Sequence, residues 1–306
     1  MLDRSAKLTP GNPKANADVI SREYLDLFGF EQRLIGSAEP DISAELFGCR
    51  LASPVMTAAL SRLDRIRQDG LIQMAEAVRK TDTVMWLGVS EDEEVRKAAD
   101  TGVRLIEIIK PFSDMKKVTD KIRFAVKNGC IAVGMDIDHA FDGHGKFDVF
   151  HDIEQEKAPT VSDIREYVQA CDGIPFIVKG VLSVRDAAAA KEAGASAIVL
   201  STHHGIFQNA ISPLMILPEV RKAVGKDMQI ITDGLIYDGY DAFKALVLGA
   251  DGVCVGRALQ QPLSENGEEG IRAYFNEMNE QLAVIMARTG TSDLNHIDSS
   301  VMHRIR

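Results

Sequence analysis

Residues 174–205 read IPFIVKGVLSVRDAAAAKEAGASAIVLSTHHG, and this stretch shows the pattern of apolar runs and a helical segment that recurs along the chain. Pro175–Lys179 and Ser196–Ser201 are short runs rich in Val and Ile, as strands buried on both faces of a parallel sheet require. Between them, Ser183–Ala193 is predicted to be a helix, because a serine can cap its start and Gly194 follows its end. The stretch therefore predicts one strand–helix–strand unit.

The same alternation recurs on both sides of this stretch. Six further strands are predicted at Pro54–Ala59, Thr83–Val89, Arg104–Ile109, Cys130–Ile137, Met228–Asp233 and Gly252–Gly256. Further helices are predicted at Gly70–Lys80, Asp92–Asp100, Asp114–Asn128, Val161–Cys171, Pro213–Val224, Tyr240–Leu248 and about Glu268–Arg288. Eight strands alternating with helices are typical of an α/β fold of the (β/α)8 TIM-barrel kind. An open doubly wound sheet has the same alternation, but the even count and the lack of GxGxxG after the first strand favour the barrel.

Two segments do not follow the alternation. Residues 1–50 are predicted to be a cap segment on the barrel, with a helix at about Asn16–Phe28 and a hairpin within Glu31–Leu51. Residues 51–306 are then the barrel itself. The loop 138–160 is much longer than the usual loop after a barrel strand. Long loops on the carboxyl-terminal face of a barrel are typically lids or binding loops.

The chain of 306 residues has 45 acidic and 35 basic side chains, a formal charge of −10. This excess of acid argues against nucleic acid or an acidic membrane surface as partner, because both attract an excess of Lys and Arg. No apolar run is long enough to span a membrane, and the amino terminus does not resemble a signal peptide. The four cysteines form no CxxC pair, so we expect reduced thiols in a cytoplasmic protein.

Polar residues follow the predicted strands, where a barrel places its active site. They are Glu107, Lys110, Asp136, Asp138, Lys179, Ser201 to His204, Asp233 and Arg257. Lys179 is expected either to stabilise negative charge in a site or to pair with a neighbouring strand-end acid. Two adjacent histidines cannot both face inward, so only one of His203 and His204 can be a general base, beside Asp138 or Asp136.

The ends of the last two strands predict a phosphate-binding site. Gly234 and Gly256 allow a close approach of backbone to an anion, and Arg257 adds a planar fork of donors. A metal cluster is a weaker alternative for residues 136–152, which contain His139, His144 and His151, because such spacing is also ordinary loop composition. We therefore predict no metal.

The motifs IPFIVKGVLSVRDAAAAKEAGASAIVLSTHHG and ITDGLIYDGYDAFKALVLGADGVCVGRAL resemble the FMN-dependent α-hydroxy-acid oxidases and dehydrogenases, which include glycolate and lactate oxidases. The resemblance is strong over Ile174–Leu259 and extends from about Glu31 to the end. It implies an FMN-binding barrel, a homo-oligomer of four or more subunits, and an oxidoreductase acting on a 2-hydroxy acid or related alcohol.

The resemblance also implies roles for individual residues. His203 matches the family's base, Asp138 the aspartate that supports it, and Lys179 the lysine beside the flavin N1–O2 edge. The positions that match flavin contacts are Ala58, Ala59, Glu107, Ser201, Asp233, Gly234, Gly256 and Arg257.

The chain departs from the family at the residues that bind the substrate's carboxylate. Ile206 stands where the family has an arginine clamp, and Ile109 stands where it has a substrate tyrosine. Asp136 replaces a flavin-side threonine, and the phosphate-side DGGxR becomes DGLIY. Lys110, His204, Asp136 or Arg62 are left as candidates to contact the substrate.

Three alternatives to a hydroxy-acid oxidoreductase stay open at this point. One is an FMN-dependent isomerase like type 2 isopentenyl-diphosphate isomerase, whose diphosphate substrate needs several cations at the barrel mouth. The second is a non-catalytic barrel that binds flavin or phosphate and has lost its substrate site. The third is a phosphate-binding barrel without flavin.

Overall fold

The computed structural model describes residues 16–150 and 153–306. The first helix, α1 (Ala17–Leu25), begins after Asn16, whose side chain accepts a hydrogen bond of 2.8 Å from the backbone N–H of Asp18. A side-chain oxygen in this position satisfies one of the free N–H groups of a helix start. The helix predicted at about Asn16–Phe28 is therefore present, and it ends three residues earlier.

The predicted hairpin covers only the last part of Glu31–Leu51. After β1 (Phe28–Phe30), the strands β2 (Ala44–Leu46) and β3 (Cys49–Leu51) pair in antiparallel register. At the turn between them, the ring of Phe47 lies 5.7 Å from the ring of Trp86, and its backbone N–H donates to the side chain of Gln229. Gln229 is the first residue of a barrel strand, so the hairpin lies at the amino-terminal end of the barrel.

Eight parallel strands form the barrel, and a small hairpin interrupts them in the chain. The strands are β4 (Val55–Thr57), β5 (Val84–Gly88), β6 (Arg104–Ile109), β7 (Ala132–Asp136), the hairpin strands β8 (Val149–Phe150) and β9 (Glu154–Gln155), and then β10 (Phe176–Val181), β11 (Ala197–Leu200), β12 (Gln229–Thr232) and β13 (Gly252–Val255). The sheet order is β4-β13-β12-β11-β10-β7-β6-β5. A parallel bridge between Leu60 and Leu87 links the strand β4 region to β5 and closes the barrel, which confirms the predicted fold class.

Helices cover the outside of the barrel in the order that the sequence predicts. They are α2 (Gly70–Lys80), α3 (Asp92–Asp100), α4 (Met115–Lys127), α5 (Val161–Ala170), α6 (Val184–Glu192), α7 (Pro213–Val224), α8 (Gly239–Val247) and α9 (Gln260–Thr289). The last helix begins earlier than the predicted Glu268–Arg288, because a second helical segment joins it across a kink at Gly267. A final strand, β14 (Met302–Arg304), pairs with β1.

Alternating side chains along the strands determine which residues reach the site. One set packs inside the barrel and includes Val84, Trp86, Ile106, Ile108, Ala132, Ile177, Val199 and Ile231. The residues between them pack outward against the helices, among them Met85, Leu105, Ile109, Val133, Val178 and Ile230. Successive residues of a strand face opposite sides. The next inward positions at the carboxyl ends are therefore Lys110, Asp136, Lys179, Ser201 and Asp233.

The cysteines are free thiols, as predicted: Cys130, Cys171 and Cys254 are buried and Cys49 is partly exposed. Among the described residues, no helix is both long enough and apolar enough to cross a membrane.

Candidate active site

A buried ion network fills the centre of the barrel mouth. The Nζ of Lys179 donates a hydrogen bond of 2.7 Å to Oδ1 of Asp136, and the Nζ of Lys110 lies 3.6 Å from Oδ2 of the same carboxylate. All three side chains are less than a tenth exposed. Buried charges need partners of opposite sign, and here one carboxylate serves two ammonium groups. The salt bridge that the sequence offered as an alternative for Lys179 is therefore present, and it lies inside the candidate site.

This network shifts the proton affinity of its members in opposite directions. Burial alone would raise the pKa of Asp136, but the charges of Lys179, His203 and Lys110 lower it well below its usual range. Burial alone would lower the pKa of Lys179, but Asp136, Asp138 and Asp233 raise it above its usual range. For Lys110 burial dominates and lowers the pKa despite the attraction of Asp136. Asp136 is therefore ionised and Lys179 protonated throughout the neutral pH range.

His203 lies beside this network with an acidic group on one ring nitrogen. Its Nδ1 is 3.4 Å from Oδ2 of Asp138, 3.7 Å from Oδ1 of Asp136 and 3.3 Å from Nζ of Lys179. The side chain is 28% exposed, so one part of the ring remains open to the mouth. An imidazole held against carboxylates is the arrangement of a general base whose protonated form is stabilised. The structure thus brings together the predicted trio of His203, Asp138 and Lys179.

The backbone at His203 is strained in a way that aims its side chain. His203 has a φ of 46°, in the left-handed region that side-chain-bearing residues rarely adopt. Its backbone N–H donates a hydrogen bond of 3.0 Å to Oγ of Ser201, the last inward residue of the β11 region. Such strain persists only where surrounding contacts hold it, and Ser201 supplies one of them. Ser201 therefore supports the base here, besides its predicted contact with FMN.

Asp138 is held by a close backbone approach. A Cβ placed on Gly180 would lie 2.5 Å from Cγ of Asp138, so only glycine fits at this point of β10. Both carboxylate oxygens of Asp138 are buried and have no hydrogen-bond partner among the described residues. The pKa of this carboxyl would be raised by burial, but the neighbouring His203 lowers it. Asp138 is therefore a buried negative charge whose described counterpart is the His203 ring.

The predicted phosphate end forms a second part of the mouth. A cavity at the ends of β12 and β13 is lined by the predicted FMN residues Ala58, Asp233, Gly234, Gly256 and Arg257, together with His204 and Leu235–Tyr237. A Cβ on Gly256 would lie 3.3 Å from the Cβ of Ala58 and 3.8 Å from Nε2 of His204. Glycine at this position therefore keeps the cavity open.

Arg257 already has two partners at this end. One guanidinium nitrogen donates a hydrogen bond of 2.7 Å to Oδ2 of Asp18, in α1, and lies 2.5 Å from Nδ1 of His204. His204 thus faces the phosphate end, while His203 faces the acidic network. This answers the question of which of the two adjacent histidines lies beside the carboxylates.

The structure places Glu107 away from the mouth, contrary to its predicted contact with FMN. Strand alternation points its side chain outward, where the charges of Lys121 in α4 and Asp92 in α3 act on it. It lines a cavity of about 180 Å³ with Phe112 and Phe150, and Lys110 lines the same cavity. Burial raises the pKa of Glu107 to about 7, and its Oε2 has no hydrogen-bond partner among the described residues. Counting residues along a motif cannot reveal which face of a strand a side chain takes.

The structure shows where the two isoleucines lie that replace the family's substrate-binding residues. Ile109 packs in the outer cluster between barrel and helices, whereas the next residue, Lys110, is the one that faces the mouth. Ile206 is 42% exposed on the loop after β11. Ala59, predicted to lie under the flavin ring, is half-buried on the inner cluster, and its carbonyl oxygen closely approaches Gly88.

The structure also joins His203 to a histidine that the sequence did not single out as catalytic. Nε2 of His139 lies 3.1 Å from Nε2 of His203. Side-chain ligand atoms of Asp136, His139 and His203 all lie within 4.8 Å of one another, as metal ligands can. Because Asp136 already accepts a hydrogen bond from Lys179, we keep the prediction of no metal. His144 lies exposed in the loop, and His151 is outside the described residues.

Comparison with known proteins agrees with this geometry. A model of the FMN-dependent dehydrogenase family matches residues 19–164 and 145–304. L-lactate oxidase of Nostoc sp. is 37% identical over 56% of this chain and 46% of its own length. Glycolate oxidase 1 of rice, Oryza sativa subsp. indica, is 28% identical over 90% of this chain and 85% of its own. A crystal structure of mandelate oxidase with 3,3-difluoro-2-hydroxy-3-phenylpropionic acid superimposes with a TM-score of 0.83 at 25% identity, covering 95% of this chain and 90% of the other.

The site and the barrel define a flavin-dependent oxidoreductase. The chain belongs to the FMN-dependent dehydrogenase family, and its cofactor is FMN. The residues of the mouth suit that cofactor: glycine and alanine leave room between β13 and β4, an arginine lies at the phosphate end, and a buried ammonium lies beside the base.

Proposed function

We propose that this protein oxidises a small 2-hydroxy acid or a related alcohol, with His203 as the base. The observation that carries the proposal is the cluster of His203, Asp138 and Lys179 on three neighbouring strand ends of one barrel mouth. FMN, when bound, accepts the two electrons that the substrate gives up. The protein's own residues supply orientation and charge.

In the proposed reaction, His203 takes one proton from the substrate at a ring nitrogen. The resulting imidazolium is stabilised by Asp138, 3.4 Å from Nδ1, and by Asp136 at 3.7 Å. Positioned proton transfer of this kind typically contributes about 10²- to 10⁴-fold in rate. Lys179 stabilises negative charge that develops in the mouth, and its pKa keeps it cationic at neutral pH.

We assign the contacts with FMN to the residues that line the barrel mouth, beginning at its phosphate end. Arg257 and the backbone of Gly234 and Gly256 would hold the phosphate, with Asp233 and Ser201 along the chain that joins phosphate and ring. Ala58 and Ala59 would lie against the ring. The support is that the strand-end cavity is lined by Ala58 and by the glycine and arginine residues of this set.

Because the family's arginine is absent, we propose that Lys110 binds the substrate's carboxylate. It is the inward residue at the end of β6, 96% buried, and it lies 3.6 Å from a carboxylate that Lys179 already neutralises. In this proposal Asp136 is the counter-ion of the two lysines. His204, which contacts Arg257, belongs to the phosphate end of the mouth. Lys110 therefore has charge to share with an incoming anion.

A panel of ligands tests this proposal. FMN-loaded protein would be mixed without oxygen with lactate, glycolate, mandelate and the matching neutral alcohols, and bleaching of the flavin absorbance measured. We expect bleaching by at least one 2-hydroxy acid, and a KM at least tenfold higher in Lys110→Met but not in the surface control Lys127→Met. No bleaching by any acid or alcohol would contradict the proposed activity.

We also propose a cytoplasmic homo-oligomer of four or more subunits. The free, mostly buried cysteines favour a reducing compartment. The net charge of −10 agrees with a partner that is neither nucleic acid nor an acidic membrane.

Light scattering coupled to size-exclusion chromatography would measure the mass of the protein in solution, and a mass near 33.5 kDa would contradict the oligomer.

A further inference from the structure

His139 has no role in the reaction described above, although it touches the base. It is the last residue of a short 3₁₀ turn, Ile137–His139, that directly follows β7. Its Nε2 lies 3.1 Å from Nε2 of His203, and the two rings meet edge to face with centroids 4.3 Å apart. This contact leaves Nε2 of His203 facing His139, while its Nδ1 faces the carboxylates.

The surroundings indicate which histidine donates in this contact. Burial, then the charges of Lys110 and His203, lower the pKa of His139 to about 3, so its ring is neutral at neutral pH. Nδ1 of His203 lies 3.4 Å from Oδ2 of Asp138, 3.7 Å from Oδ1 of Asp136 and 3.3 Å from Nζ of Lys179. Lys179 already donates to Asp136 at 2.7 Å, whereas neither oxygen of Asp138 has another hydrogen-bond partner among the described residues. Because an ionised carboxylate can only accept, a proton on Nδ1 gives the buried Asp138 a donor. A proton on that Nδ1 leaves the lone pair on Nε2. In this tautomer, assigned from the partners, His139 donates its Nε2–H to His203.

We propose that His139 is a specificity-determining residue that caps the base until a substrate hydroxyl replaces it. The inference rests on the proposed function, in which Nε2 of His203 receives the substrate's proton. An imidazole nitrogen has one lone pair, so the N–H of His139 and the hydroxyl of a substrate cannot both bind it. Ligands without a hydroxyl donor would leave His139 in place and the base blocked. Productive ligands are therefore hydroxyl donors small enough to enter between His139 and His203.

The cap can be tested without substrate. Diethyl pyrocarbonate forms an N–C bond with an unprotonated imidazole nitrogen while one of its own C–O bonds breaks, so its rate of reaction reports a free lone pair. The rate at His203 would be followed by mass spectrometry of its peptide. We expect His139→Ala to react roughly two- to tenfold faster than the unmodified chain, the range that one hydrogen bond is worth.

Two variants separate the hydrogen bond from simple loss of bulk. His139→Gln keeps an N–H donor and should react at nearly the unmodified rate. His144→Ala removes an exposed histidine of the same loop whose described hydrogen bond is made by its backbone, and should change nothing. An unchanged rate in His139→Ala, or equal acceleration in His139→Gln, would overturn the cap.

Steady-state kinetics of the FMN-loaded protein then test the effect on specificity. Removing the competing donor in His139→Ala should lower the KM for a 2-hydroxy acid more than it changes kcat, whereas His139→Gln should stay near the unmodified KM. A faster chemical modification with no change in KM would overturn the specificity role. Failure of the proposed function itself would appear separately, as flavin reduction that does not depend on His203.

Discussion

The Asp136 carboxylate at the centre of the mouth is held between two buried ammonium groups. Replacing Lys179 with Met would leave Asp136 with Lys110 at 3.6 Å and the His203 ring at 3.7 Å. Removing one partner of a buried ion pair costs about 3 to 5 kcal/mol when the other charge is left uncompensated, and this is an upper bound here because Lys110 still faces Asp136. We expect Lys179→Met to lose free energy of unfolding of this order in urea denaturation, and Lys127→Met on the surface to lose almost none. A loss below about 0.5 kcal/mol would contradict the buried pairing.

Glu107 should make the protein less stable as the pH rises. Its pKa is about 7 in the folded chain, above its ordinary value of 4.5, because of burial. Between these values the folded chain binds more protons than the unfolded chain, so stability is present below pH 4.5 and is lost as the pH rises through 7.

Glu107→Gln removes this titration, since an amide is neutral at every pH. At pH 8 we expect the variant to be more stable than the unmodified chain by up to about 3 kcal/mol, and at about pH 4 nearly equal to it. Urea unfolding at both pH values measures the difference, with the exposed Glu280→Gln as control. Equal stabilities at pH 8 would show that the carboxyl is not buried as described.

At the residue scale, the proposed catalytic trio could be predicted from the sequence, but its surroundings could not. Lys179, Asp138 and His203 end or follow apolar strands, and that local pattern is enough to place them at one mouth. The face taken by Glu107 depends on strand register, which one residue of slip reverses. The contact of His139 with His203 joins positions 64 residues apart, so no local pattern predicts it.

At the scale of the elements, helix α1 contacts the predicted phosphate end. Arg22 fixes the helix to α8 through two hydrogen bonds to Asp241, of 2.7 and 2.9 Å. Nearby, Asp18 accepts from Arg257 at 2.7 Å. If Arg257 holds the phosphate of FMN, the Asp18 carboxylate competes for the same guanidinium.

We therefore expect Asp18→Asn to bind FMN more tightly. Partly exposed ion pairs are worth up to about 1 kcal/mol, which corresponds to an affinity roughly two- to fivefold higher. Quenching of flavin fluorescence on titration of cofactor-free protein gives the Kd. Glu23→Gln, an exposed acid of the same helix, should leave it unchanged. Weaker binding by Asp18→Asn would mean that Asp18 positions Arg257 instead of competing with the cofactor.

At this scale, elements with strong local signals were predicted closely. Gly70–Lys80, Asp92–Asp100, Pro213–Val224 and the strand Arg104–Ile109 have the predicted bounds. The β8–β9 hairpin inside the long loop and the β1–β14 pair were not predicted. Both are short pairings with weak apolar alternation, and the second joins segments that are far apart in the chain, so only the tertiary structure creates them.

At the scale of the whole molecule, the barrel has stabilising apolar packing at one end and the charged candidate site at the other. The hairpin β2–β3 packs its apolar residues Leu46, Phe47 and Leu51 on the amino-terminal end of the barrel. The charged network lies at the opposite end, where the strands stop and the loops are free to vary. The eight-stranded core therefore fixes the positions of Asp136, Lys179 and His203. Helix α1 and the start of loop 138–160 contribute side chains that contact the mouth.

We propose that His203 is the base of an FMN-dependent oxidation at this mouth. The most direct test is anaerobic stopped-flow reduction of the bound flavin by the best substrate, comparing the unmodified protein with His203→Gln. If His203 is the base, we expect a reduction rate about 10²- to 10⁴-fold lower in His203→Gln, with a Kd for FMN changed less than about threefold. Flavin reduction at the unmodified rate in His203→Gln would contradict it.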